Sequence, residues 1–248
     1  ARTALLAERL AEGHWEGELS SSALSTAVAC AAMQHVQTAT GTEEHCALIQ
    51  GGLHWLAEHA NADGGWGDTT KSLSNISTTT LCWATFHAVP GALEEYAEVV
   101  AAAEQWLTKA CGGVTPDYLA PAIIARYGKD RTFSVPILTH CALAGKGRWK
   151  DVIQLPFELA ALPRNWFAAL RLPVVSYALP ALIAIGQCRH QHRPSWNPFT
   201  RVLRNAAREK TLQVLEQIQP SNGGFLEATP LTSFVTMSLA GCGLADHP

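Results

Sequence analysis

The stretch Asn61-Ala62-Asp63-Gly64-Gly65-Trp66-Gly67 follows a segment marked by Leu53, Trp55 and Leu56 and precedes the apolar run Ser77 to Phe86. Paired glycines after a helix-periodic segment mark the place where a chain leaves a helix through a left-handed or tight turn, which a side chain would oppose. The Trp next to them is expected to fold back as a plug, and the second apolar segment then starts another helix. This is a helix pair joined by a Gly-Gly-aromatic turn.

Working outward, the same unit recurs. Leu5, Leu6 and Leu10 precede Gly13-His14-Trp15, with Ser22 to Met33 as the next helix. Trp106 and Leu107 precede Gly112-Gly113-Val114 and then Tyr118 to Tyr127. Leu212 and Leu215 precede Ser221-Asn222-Gly223-Gly224-Phe225 and a helix from Leu231 to Leu239. Trp15 and Trp66 stand about 50 positions apart, at the long end of the range for stacked supersecondary repeats. Between the third and fourth copies, Thr132 to Leu138 starts an apolar helix, and Pro156, Pro163, Pro173 and Pro180 break the chain beyond it into short pieces. His190 to Pro198 reads as a surface loop and Phe199 to Ile218 as a helix carrying Arg201, Arg204, Arg208 and Lys210. No strand-like alternation is sustained, so the expected fold class is all-α, with residues 1–248 as one domain.

Composition narrows the function. The chain of 248 residues is 48% hydrophobic and only 16% charged, against roughly 25% charged in ordinary soluble domains, which points to surface that meets lipid, a greasy ligand or another protein segment. A formal charge of -3 gives no footprint for nucleic acid, and none is expected as a partner. The seven cysteines never form Cys-x-x-Cys and read as reduced core residues. The opening Ala-Arg-Thr-Ala-Leu-Leu lacks the h-region of a signal peptide, so a cytoplasmic chain cut from a longer one is expected. The most apolar run, Leu172 to Ile185, holds Pro173 and Pro180 and falls short of the roughly 20 residues that span a bilayer.

Leu215-Glu216-Gln217 through Gly223-Gly224-Phe225, and His54-Trp55-Leu56 through Gly64-Gly65-Trp66-Gly67, resemble the QW motifs of the squalene-hopene and oxidosqualene cyclases. Leu5 to Trp15 is similar to the first element of those enzymes, and Phe133-Ser134-Val135-Pro136 stands where their Val-Pro segment follows the third repeat. The landmarks keep their order across nearly the whole chain, with Phe225 and Val114 in place of Trp and His59 where Gln is expected. The resemblance implies an α/α barrel (α-α toroid) from the N-terminal half of a class II terpene cyclase, which turns a linear polyprenoid such as squalene into fused rings. It also implies peripheral contact with one leaflet of a membrane, with Arg201 to Lys210 at the membrane-entry helix. Of the cavity wall, it places Trp166, Ala228, Thr229 and Pro230 next to substrate.

The initiating chemistry is not encoded in these residues. An alkene is a very poor base, and an ordinary carboxyl near pKa 4 is a weak donor toward it. The family's Asp-x-Asp-Asp does not occur, and neither does a magnesium-binding Asp-Asp-x-x-Asp: Asp63, Asp68, Asp117, Asp130, Asp151 and Asp246 are isolated. A C-terminal catalytic half, in cis or in trans, is the expected partner, and the final helix, Leu231 to Leu239, is expected to end against nothing within the chain. No catalytic residue, cofactor or metal is expected. His190-Gln191-His192 lacks neighbouring carboxylate or thiol ligands, and Asp63 and Asp68 read as ties of the turn to backbone amides. Trp83, Phe86, Trp166, Phe167 and Phe234 are the aromatics that could shield a carbocation, although helical spacing favours core packing for each. Two other readings share the architecture. A protein prenyltransferase β-subunit would need a zinc held by Asp, Cys and His, and a non-catalytic scaffold would bind polyprenoid lipid or a protein through the barrel.

Overall fold

A computed structural model describes residues 2–15, 20–163, 178–226 and 228–247. Among these residues the secondary structure is helical and contains no strand. The helices are α1 (Arg2–Ala7), α2 (Ala23–Thr40), α3 (Cys46–Glu58), α4 (Ile76–Ala88), α5 (Ala92–Glu95), α6 (Ala97–Cys111), α7 (Pro116–Tyr127), α8 (Arg131–Leu143), the 3-10 turn η1 (Phe157–Ala161), α9 (Leu179–His192), α10 (Pro198–Ile218) and α11 (Thr229–Ala240). Short polar side chains start several of them. Ser22 accepts from the Ser25 amide and Asn75 from that of Thr78, while Asp130 accepts from Thr132 and Asn197 from Phe199 and Thr200, each filling an orphan donor of the first turn.

Burial separates an inner layer from an outer one. Every residue of α4 from Ser77 to Phe86 is buried, as a helix enclosed by neighbours on all sides requires. The flanking helices bury a single stripe each, Ile49, Leu53 and Leu56 on α3 and Val100, Ala103 and Leu107 on α6. Inside, α2 packs on α4, α4 on α8, α8 on α9 and α11, and α9 on α11; outside, α3 lies on α2, α6 on α4, α7 on α8 and α10 on α9 and η1. The inner helices α2 and α4 run parallel, since Cys82 Sγ approaches the Ala23 carbonyl and Thr85 Oγ1 donates to that of Ala27, one turn further along both helices. This is the α/α-toroid arrangement expected from the helix-pair repeat.

Three expectations are corrected. The final helix does not end against nothing: α11 packs along α2 and closes the ring, burying Phe234, Val235, Met237 and Leu239. The segment from His190 is not wholly a surface loop, because α9 continues to His192 and His190 is buried. Cys46, read as a core thiol, is exposed at the start of α3.

Candidate functional site

The four turns provide the strongest shared geometry. Trp15 Nε1 donates to the Leu5 carbonyl at 2.6 Å and Trp66 Nε1 to the Leu56 carbonyl at 2.9 Å, in both cases ten residues back. Those carbonyls belong to the last turn of α1 and α3, where no intrahelical donor remains, so the indole acts as a C-terminal cap as well as a plug. Two residues before Trp15, Trp66, Val114 and Phe225, the glycines Gly13, Gly64, Gly112 and Gly223 all adopt positive φ, between 79 and 91°. The amides of Gly13, Gly64 and Gly223 close the same tight turn, onto Leu10, Asn61 and Pro220. The amide of the aromatic is then taken by a Thr of the following inner helix, Thr79 for Trp66 and Thr232 for Phe225.

The third copy departs for a visible reason. Helix α6 runs on to Cys111 and is capped directly by Gly112, whose amide bonds to Thr108. Only two residues separate this helix from Val114, and an indole there has no span over which to fold back. In the fourth copy Phe225 is buried but has no N–H with which to cap Leu215 of α10. It adjoins a cleft of about 130 Å³ lined in part by Val36, Leu215, Val235, Leu239 and Leu244.

Two aspartates, Asp63 and Asp68, are committed to this framework. Asp63 accepts from the Gly65 amide at 3.1 Å, Ser74 Oγ at 2.6 Å and Trp106 Nε1 at 3.0 Å. The Ser74 bond foremost, with those of Gly65 and Trp106, holds its carboxyl below the usual range, so it carries no proton at neutral pH. Asp68 ties the turn through side chains instead of amides, accepting from Asn75 Nδ2 and Thr78 Oγ1. Asp117 and Asp151 both pair with Arg148. These are the roles of turn ties and ion pairs.

Of the residues assigned to the cavity wall, Trp166 lies outside the described residues, as does Phe167. Ala228 is the N-cap of α11, with Thr229 exposed and Pro230 half-buried in its first turn. The N-terminal ends of α2 and α4 lie side by side, and Ser77 Oγ, in the first turn of α4, meets the Tyr127 hydroxyl at 2.7 Å. Val36 late in α2 lines one cleft with Phe225, Thr232 and Leu239, residues that run from the turn before α11 to its last turn. Trp83, Phe86 and Phe234 are core residues: Phe86 packs on Trp66 and Tyr96, and Trp83 Nε1 donates to Glu104. His190 bonds Asn205, and His192 stacks on Trp149 with centroids 4.2 Å apart, so both histidines have packing roles.

A buried polar centre escaped the sequence reading. His140 of α8 is fully buried, its Nε2 lying 3.3 Å from Thr85 Oγ1 and 3.2 Å from the Leu81 carbonyl. Burial, and then the neighbouring His35 of α2, push it down to about 3. Neither His140 Nδ1 nor His35 Nε2 has a hydrogen-bond partner. The signal in the sequence was Thr139-His140 inside an apolar helix, which marks burial without indicating what the ring faces.

No helix among the described residues is long and apolar enough to cross a membrane. An amphipathic surface does exist on α10 and the loop before it, where Trp196, Phe199, Val202 and Leu203 are all at least half exposed. Further along α10 the buried residues are Ala207, Thr211 and Leu215.

The family model of the squalene-hopene cyclase N-terminal domain matches residues 1–178, which hold the first three turns and the inner helices α2, α4 and α8. No curated protein and no solved structure matches the chain. With the family's model covering more than half of the sequence and the toroid built on the repeated turn, the chain belongs to the squalene-hopene cyclase N-terminal domain family.

Proposed function

We propose that the chain forms the N-terminal barrel of a class II terpene cyclase, in which a linear polyprene such as squalene is cyclised by a protonation-initiated carbocation cascade. In this reading the barrel supplies part of the cavity wall, and a C-terminal catalytic half supplies the acid. The observation that carries it is the helix-terminating Trp turn, repeated in the same register at Trp15 and Trp66 within the family match. Asp63, held below the usual carboxylate range by the Ser74, Gly65 and Trp106 hydrogen bonds, is no proton donor to an alkene, which supports an external acid. Ala228, Thr229 and Pro230, at the N-terminal end of α11, and Trp166 are the residues proposed to approach substrate. The exposed Trp196, Phe199, Val202 and Leu203, with Arg201 and Lys210 close by in sequence, suit a surface that lies on one leaflet.

The test is incubation with squalene, alone and together with the separately expressed C-terminal half of a family member, followed by mass-spectrometric product analysis. Cyclised product in the paired sample and none from the chain alone is expected. Turnover by the chain alone would sink the proposal. Saturable squalene binding with no turnover in the paired sample would instead establish the non-catalytic scaffold.

A further inference from the structure

The fourth turn keeps the frame of the second without its filling. Counted back from the aromatic, Leu215 and Gly223 stand before Phe225 where Leu56 and Gly64 stand before Trp66. Thr232 accepts from the Phe225 amide as Thr79 accepts from that of Trp66. In the second copy the indole fills the space among these residues, 1% exposed and bonded to the Leu56 carbonyl. In the fourth, Leu215, Gly223, Phe225 and Thr232 line a cleft of about 130 Å³ together with Val36 and Leu239. A phenyl ring lacks the fused pyrrole ring of an indole, so the residue at 225 itself leaves part of this space.

The fourth turn is also open where the second is covered. Helix α6 lies over the second: Trp106 Nε1 donates to Asp63 at 3.0 Å, and a Cβ on Gly64 would stand 2.8 Å from the Ala102 carbonyl oxygen. A Cβ on Gly223 would meet no atom within 4 Å. Among the described residues α11 packs chiefly on the inner helices α2, α9 and α8, whereas α4 also carries the outer helix α6. The cleft beside Phe225 is therefore reachable from outside, with half-buried Thr236 at its wall.

We propose that this cleft is a binding site for a small single-ring aromatic molecule, seated in the space that an indole fills in the second copy. Size sets the upper limit, since apolar cavities of about 150 Å³ take up benzene. Chemistry sets the class. The walls formed by Val36, Leu215 and Leu239 are aliphatic and bring no charge, which disfavours an ionic guest. The phenyl ring of Phe225 offers a guest ring the offset or edge-to-face contact that aromatic pairs prefer. The site is independent of the cyclase reading, because it follows from the residue at 225 and from the absence of a helix over the fourth turn.

The test is titration of the full chain with fluorobenzene, followed by fluorine NMR of the ligand and methyl NMR of the protein. Saturable binding is expected with a dissociation constant of about 1 mM, as befits a ligand of so few atoms, together with ring-current shifts of the Val235 and Leu239 methyls. The melting midpoint should rise with ligand concentration by mass action. Phe225→Trp fills the cleft from within and should abolish saturation; Thr236→Trp, placed at the wall, should do the same and stands in if the first variant fails to fold. No saturable response at roughly 10 mM, well above the expected constant, would overturn the proposal. So would undiminished binding in a folded variant, or methyl shifts that appear only around Val202 and Leu203 on the exposed face of α10. If neither variant folds, the methyl shifts of the unmodified chain decide alone.

Discussion

The indole Nε1 of Trp66 donates to the carbonyl oxygen of Leu56 across 2.9 Å, so one side chain both fills the space between α3 and α4 and caps the last turn of α3. Trp66 is 1% exposed, whereas Trp15, which makes the equivalent bond to Leu5, is 45% exposed. Trp66→Phe keeps most of the buried ring and orphans the carbonyl, a loss of about 1–3 kcal/mol. Trp66→Ala also opens a cavity and should cost about 3–5 kcal/mol. At Trp15, where water can replace the bond, the Phe variant should cost less than about 1 kcal/mol. Urea unfolding midpoints of the three variants give the comparison, and equal losses at the two Phe sites would contradict the capping account.

The fourth copy offers the reverse experiment. Phe225 is buried beside a cleft of about 130 Å³, and Leu215 occupies the place ten residues earlier that Leu56 holds relative to Trp66. Phe225→Trp should fill part of the cleft and bring Nε1 toward the Leu215 carbonyl, for a gain of about 1 kcal/mol from the new hydrogen bond. The check is a higher thermal midpoint. A lower one would show that the cleft cannot take the indole in this register.

The buried histidines predict an acid-sensitive fold. Unfolded His140 takes up a proton near its ordinary 6.5, whereas the folded protein resists until about 3, because burial and the adjacent His35 disfavour the cation. Above 6.5 both states are neutral and His140 contributes no pH dependence. Below it the unfolded chain binds more protons, so stability falls with falling pH by about 1.4 kcal/mol per pH unit from His140. His35, lowered by burial, steepens the slope. Asp63 and Asp130 are held below 3.8, so their own loss comes only at lower pH and the interval between 6.5 and 3.8 reports on histidine. Urea titrations across that interval should show the slope, and His140→Asn should flatten it. An unchanged slope in the variant would assign the effect elsewhere.

Much of this architecture was legible because the repeat is written in local chemistry. Gly13, Gly64, Gly112 and Gly223 announce left-handed turns, and Ser22, Asn75 and Asp130 announce helix starts, each through interactions spanning a few residues. The ring closure was not legible. Whether Phe234 and Met237 of α11 meet α2 or solvent depends on the summed rotation of all preceding helix pairs, which no window of sequence contains. His190 was misplaced for a related reason. Its charged and proline-rich surroundings suggest a loop, yet Asn205 of α10 supplies the partner that lets it be buried. Ala228, Thr229 and Pro230 carry no chemical signature of their own, so their local sequence says only that a helix starts there.

One repeat position should tolerate substitution very differently in two copies. Gly64 and Gly223 share positive φ, 85 and 79°, so a side chain at either costs about 1–2 kcal/mol for the left-handed backbone. The surroundings differ. A Cβ on Gly64 would lie 2.8 Å from the carbonyl oxygen of Ala102 on α6, whereas one on Gly223 would meet nothing within 4 Å. Because the atom met at Gly64 is backbone within a packed helix, relief requires the turn or α6 to move, adding about 1–3 kcal/mol. Gly64→Ala should therefore lower the unfolding midpoint well beyond Gly223→Ala, and Gly64→Asn should not rescue it despite the tolerance of Asn for this backbone. Rescue by Asn at 64 would mean that backbone strain alone, and not the approach of α6, makes glycine necessary there.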